Sequence, residues 1–164
     1  KDEEPAAVTT ALITHGMIFD YASRYCAEHT PPVDLTNWRL PAADYDKFMS
    51  FIKEQKFSYS TSIEHEVKEM KAIATREKYQ DLMPVLNDLT DKIEQTKAND
   101  LVRLKDEIRS AVESQIAFHY GLNEGHALNS MGRDVTVERA RKLFRDPATY
   151  NKILTTPDAG AVKP

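Results

Sequence analysis

From Leu82 to Met131 the apolar side chains fall at Leu82, Val85, Leu86, Leu89, Ile93, Leu101, Leu104, Ile108, Val112, Ile116, Tyr120, Ala127 and Leu128. Steps of three, four and seven draw one stripe down a helix and fit no strand. The shorter segments on either side carry the same period. Leu12, Ile13, Met17, Ile18, Tyr21, Ala22 and Tyr25 predict a first helix, capped by Thr9 or Thr10 and stopped by His29-Thr30-Pro31-Pro32. Gly16 lies inside that helix, where it costs roughly 1 kcal/mol relative to Ala and hints at close packing. Tyr45, Phe48, Met49 and Ile52 predict a second helix from about Ala42 to Gln55. Between the two, Val33–Leu40 reads as a connector anchored by the ring of Trp38.

Lys56–Ser60 alternates like a short strand or an extended connector, but no second strand exists to pair with it. Thr61 followed by Glu64 is a capping box, opening a third helix with Ile63, Val67, Met70, Ile73, Ala74 and Tyr79 on one face. Pro84 is tolerated only in a first helical turn, so a new helix starts near Asp81. Two readings of 81–120 compete. One continuous helix would be roughly 60 Å long, which argues for a hairpin at Asn99–Asp100. The unbroken phase of the stripe argues for continuity, and the reading taken is one long helix in an elongated domain. Lys97 stands where that stripe calls for a core residue. Gly121 and Gly125 loosen the helix end and Gly132 stops it. Asp134 or Thr136 caps a short helix with Val137, Ala140, Leu143 and Phe144. Asp146-Pro147 opens a last one ending near Leu154. The predicted fold is all-α: a central helix or helical hairpin with shorter flanking helices. Residues 1–7 read as a leader or linker, 8–154 as the domain, and 155–164 as a disordered tail.

Composition narrows the function classes. The 164 residues suffice for one core, and 41% hydrophobic content excludes wholesale disorder. Lysine and arginine number 22 against 26 acidic residues, for a net charge of −4, which disfavours a nucleic-acid partner. No apolar run approaches the ~20 residues of a membrane helix. The polar start Lys1–Pro5 resembles no signal peptide, and the chain reads as an excised piece. Cys26 is the single cysteine, excluding an internal disulfide; its apolar neighbours in helical phase point to a buried, inert thiol.

Candidate chemistry is thin. Ser50 and Lys53 match Ser-x-x-Lys, but the companion Ser-Asp-Asn and Lys-Thr-Gly elements are missing, so the match reads as chance. His65 and Glu69 share a helix face at i,i+4, as do Glu66 and Met70. His119, Glu124 and His126 would join as metal ligands only if the glycine-rich turn folds back. The plainer reading is a solvated face, with Glu64, Glu66, Glu69 and Glu77 alternating with Lys68, Lys71, Arg76 and Lys78. His119-Tyr120 continues the stripe and reads as half-buried. No catalytic, cofactor-binding or metal residue is assigned, and no cofactor is expected.

Four blocks together resemble a known family. Leu12-Ile13-Thr14-His15-Gly16-Met17-Ile18-Phe19-Asp20-Tyr21-Ala22 resembles the segment after the catalytic core of carboxyl-terminal processing peptidases, the tail-specific serine proteases of Gram-negative bacteria. Phe57–Glu64, Asp100–Ile108 and Asp146–Leu154 resemble, in order, motifs of their long C-terminal extension. The resemblance implies a parent with a signal or lipoprotein anchor, a PDZ-like domain and a Ser/Lys dyad, acting on envelope proteins in the periplasm. It places the dyad upstream, outside this chain. The piece itself is then a scaffold, docking or oligomerisation element, whose partners are the upstream PDZ-like and catalytic domains, a second protomer or an adaptor. The alternative is an autonomous module binding substrate tails or a partner helix, with an apolar groove near Gly121–Met131.

Overall fold

The computed structural model describes residues 4–155. The expected tail 156–164 and the first three residues of the expected leader lie outside them. The described residues form an all-α fold without strands: α1 (Ala7–Thr14), α2 (Met17–Glu28), α3 (Ala42–Glu54), α4 (Ser62–Arg76), a 3-10 turn (Gln80–Leu82), α5 (Met83–Ala98), α6 (Asp100–Arg103), α7 (Lys105–Met131), α8 (Val135–Arg145) and α9 (Pro147–Thr155).

The predicted first helix is two. Gly16 sits between them at φ +75°, a left-handed conformation that costs glycine little and other residues much. A Cβ there would meet nothing within 4 Å, so conformation and not close packing explains the glycine. The break lets α1 and α2 each lay an apolar face on α7. The expected threonine caps give way to Ala6, whose N–H donates to the Glu107 Oε1 at 2.8 Å; Thr9 is buried inside α1.

The central stretch is neither one helix nor a hairpin at Asn99–Asp100. Asn99 and Leu104 interrupt it, with φ near −100° and ψ near 0° and 20°, setting the one-turn α6 between α5 and α7. A chain reversal does occur, at Gly121–Leu122. Leu122 takes φ 51° and ψ −139°, and α7 folds into two limbs, 105–120 and 123–131. A Cβ on Gly125 would collide with the Ala117 carbonyl, which shows how closely the second limb returns over the first. Gly132 ends the helix as expected, held so near the Thr36 carbonyl that no side chain fits.

The principal core joins α1, α2, α3 and the first limb of α7. Leu12, Leu40, Phe48, Ile108, Val112 and Ile116 are fully buried in it, with Tyr21, Tyr25 and Tyr45 packed around them. Burying each such aliphatic or aromatic side chain is worth roughly 1.5–3 kcal/mol. Trp38 packs partly buried against the core, its ring 6.2 Å from Tyr25. Burial pushes the Tyr45 hydroxyl up to about 12.

Four local predictions of helix starts stand as drawn. Thr61 and Glu64 form both halves of the capping box. Pro84 occupies the first turn of α5. Asp134 caps α8 by accepting from the N–H groups of Thr136 and Val137, and Asp146 accepts from the Thr149 N–H and hydroxyl. Of the expected extended stretch Lys56–Ser60, Phe57–Ser60 is a connector without regular structure, while Lys56 lies in a turn at φ 50°.

Candidate functional site

Two features stand apart from the core: a polar network that binds the second limb of α7, and a two-helix arm with an apolar groove. The network centres on Glu113, a carboxylate only 2% exposed. It accepts from Arg133 at 2.6 Å, lies 3.2 Å from Arg109, and accepts from the Leu40 N–H at 2.8 Å. Arg133 also donates to the Ser114 hydroxyl and to the side-chain amide oxygen of Asn129. Asn129, itself fully buried, donates to the carbonyls of Leu35 and Trp38, and Arg39 donates to the Gly132 carbonyl. Burial pulls Arg133 below its ordinary value, opposed by the charge of Glu113. The buried Arg109 Nε makes no hydrogen bond although it lies 3.2 Å from Glu113, and the remaining strong polar groups here face protein partners. The cluster stitches the 33–40 connector to both limbs of α7 and has no acid or base left over for chemistry.

The arm is α4, the 3-10 turn and α5, packed on one another. Val67, Ala74, Leu86 and Ile93 bury a single seam, and Lys71 donates to the Thr90 hydroxyl across it at 2.6 Å. Beside the seam Met70, Ile73, Ala74, Tyr79, Leu82, Val85 and Leu86 line a groove of about 350 Å³, apolar throughout; Val85 is 65% exposed. A two-helix unit has only one seam, so its outer apolar positions need a further partner to leave water.

Polar contacts join arm to body. The Lys97 ammonium lies 2.6 Å from Glu64, donates to the Tyr59 carbonyl at 2.7 Å and sits 4.8 Å above the Tyr59 ring. The Tyr59 hydroxyl donates to the nearly buried Asp100. Burial first, and Asp100 second, push that hydroxyl well above its ordinary value. Burial alone would raise the Glu64 carboxyl, but hydrogen bonds from Lys97 and Thr61 outweigh it and hold the group low. Lys97, the apparent misfit in the apolar stripe, is thus the clasp where arm meets body. Close by, Ala6 and Ala7 share a cleft of about 470 Å³ with Ile63, Ile93 and Leu104.

The residues singled out by pattern are mostly kept apart. Ser50 lines an open polar groove between α2 and α3, its hydroxyl donating to the Asp46 carbonyl; Lys53 is not among the groove's lining residues. The glycine-rich turn folds back, yet among the described residues no three His, Cys, Asp or Glu side chains gather as a metal site. His119 instead bonds the Ser23 hydroxyl at 3.0 Å and the Gln115 carbonyl at 2.8 Å, and His126 lines a cleft with Ile13, Phe19 and Phe118. His65 and Glu69 stay on the exposed face of α4. Cys26 is half-buried, its thiol pushed up by burial. From the region Gly121–Met131, His126 lines that cleft beside Phe19 and Phe118, and a separate apolar groove lies on the arm. No helix among the described residues is long and apolar enough to cross a membrane.

Fold and site define an all-α domain that carries an apolar arm on its outside. The chain belongs to the family described as the C-terminal helical domain of a probable PDZ-protease, which it matches over residues 8–144. That membership implies further domains in the same polypeptide. No curated protein and no solved structure matches it.

Proposed function

We propose that this domain is the non-catalytic helical extension of a tail-specific serine peptidase, and that the α4–α5 arm docks the upstream PDZ-like and catalytic domains of the same chain. The parent would cleave envelope proteins at or near their C-termini in the periplasm of a Gram-negative bacterium, and its Ser/Lys dyad would lie upstream. The observation that carries the docking role is the apolar groove of Met70, Ile73, Tyr79, Leu82 and Val85. Ala6 and Ala7, on the side from which upstream domains would lead in, line a cleft at the root of the arm.

The test pairs two materials. The isolated 164-residue chain is expected to hydrolyse no peptide, and Ser50→Ala to change nothing. In the full-length protease, Val85→Asp with Leu82→Asp is expected to alter cleavage of a protein substrate while the isolated domain keeps its helical circular dichroism. Hydrolysis by the isolated chain, or wild-type cleavage by the double variant, would overturn the proposal. A second reading, an autonomous module for substrate tails, draws on the same groove. It predicts saturable binding of labelled C-terminal peptides to the isolated chain, abolished by the same double variant.

A further inference from the structure

The last two helices form a second exposed feature, unrelated to the arm. On α8, Val137, Ala140, Leu143 and Phe144 occupy one arc of the helix, while Arg139, Arg141, Lys142 and Arg145 occupy the other and flank both of its edges. It is the most sharply amphipathic helix among those described, and it buries none of its residues. On α9, Tyr150, Ile153 and Leu154 share an arc. The Phe144 and Tyr150 rings meet at 5.5 Å, so the two apolar arcs join at the bend around Asp146. Phe144 is 69% and Leu154 65% exposed.

Charge distinguishes this pair from the rest of the molecule. Residues 135–155 hold five cations, the four of α8 and Lys152, against Glu138 and Asp146. That net +3 sits on a chain whose total is −4, leaving the remainder strongly acidic. Of the four cations of α8, Lys142 faces Glu138 at 3.6 Å, and Arg139, Arg141 and Arg145 make no ion pair among the described residues.

We infer that α8–α9 is a docking surface for an anionic lipid bilayer, lying in the plane of the interface with Phe144, Ile153 and Leu154 inserted and the arginines among the headgroups. Eleven and nine residues make helices of roughly 16 and 14 Å, too short to span a hydrocarbon core of about 30 Å but suited to lie along it. Low overall hydropathy, a basic polar face and bulky apolar side chains opposite it are the marks of interfacial helices. The cations are spread along both edges of a shallow apolar strip rather than focused at one point. That spread matches a laterally uniform sheet of negative charge better than a single acidic protein patch. The charge imbalance of the chain also orients it, turning the basic end toward such a surface and the acidic body away.

Co-sedimentation of the 164-residue chain with vesicles tests this. Binding is expected to vesicles of phosphatidylethanolamine and phosphatidylglycerol at low salt, and not to vesicles of phosphatidylcholine alone. Raising salt to about 1 M, where the Debye length is about 3 Å, should remove most of it. Arg139→Glu with Arg141→Glu and Lys142→Glu should weaken binding by at least about tenfold, and Phe144→Ser should do so with the charges intact. Neither variant touches the buried core, so both should retain wild-type helical content. No binding to the anionic vesicles, equal binding to phosphatidylcholine, or indifference to the charge reversal would overturn the inference. So would self-association that Phe144→Ser abolishes in the absence of vesicle binding, which would make the strip a protein interface.

Discussion

The body and the arm are built from the same helical period but hold it with different partners. In the body, Leu12, Phe48, Ile108 and Ile116 are enclosed on every side by four helical segments. In the arm, Val67, Ala74, Leu86 and Ile93 are covered only by each other's helix, and Met70, Tyr79, Leu82 and Val85 face outward. An apolar stripe is therefore a statement about a surface that seeks a partner. Whether the partner lies in the same domain is a separate question, and here the answer changes at Asn99.

That difference sets the expected scale of substitutions. Phe48→Ala should destabilise the body by about 3–5 kcal/mol, through lost burial and the cavity left behind. Chemical denaturation reads this directly. Glu113→Ala is expected to cost a similar 3–5 kcal/mol, because it strands Arg133 and Arg109 beside an empty site. If it cost under 1 kcal/mol, the second limb of α7 would not depend on this network. In contrast, Val85→Ala on the arm should stay within about 0.5 kcal/mol in the isolated chain, as for other exposed positions.

Intermediate effects fall at the joint. Lys97→Met removes the ammonium shared by Glu64 and the Tyr59 carbonyl, and should loosen the arm by about 1–2 kcal/mol. Hydrogen exchange should quicken in α4 and α5 while α2 and α7 keep their protection; uniform loss across both would show that the arm is not a separate unit. The same joint responds to acid. The Glu64 carboxyl is held below its ordinary value in the folded chain. Its contribution is therefore fully present above the unfolded value, about 4.3, and is lost as pH falls through the lower folded one. Arm protection followed from pH 6 to about pH 3 should decline in the wild type, and Glu64→Gln should remove that share of the decline. The smallest effect expected is a gain. Leu122 holds a backbone conformation that favours glycine, so Leu122→Gly should stabilise the reversal by up to about 1 kcal/mol. A loss would mean that its exposed side chain matters more than its backbone.

Much of the fold was legible because local chemistry carried it. The Thr61–Glu64 box, Pro84, Asp134 and Asp146 mark helix starts through hydrogen bonds or ring geometry within a few residues. The Gly16 break and the Gly121–Leu122 reversal escaped because the apolar phase runs on through both, and because each is set by what α7 packs against. Glu113 escaped for another reason. A carboxylate between Val112 and Ser114 reads as solvated until Arg133, brought back by the reversal, lies against it. Lys97 was legible as a misfit but not as a clasp, since Tyr59 and Glu64 are distant in sequence. The groove was expected at Gly121–Met131, where glycines thin the surface. That stretch contributes His126 to a cleft with Ile13, Phe19 and Phe118, and an apolar groove that the stripe did not mark lies on the arm, where helices run out of neighbours.

The most direct test compares hydrogen exchange of residues 63–89 in the isolated domain and in the full-length protease. Docking of the arm on the upstream domains predicts that amides of α4 and α5 gain protection in the full-length chain while those of α2 and the first limb of α7 stay as they were. Identical exchange across the arm in both proteins would contradict it.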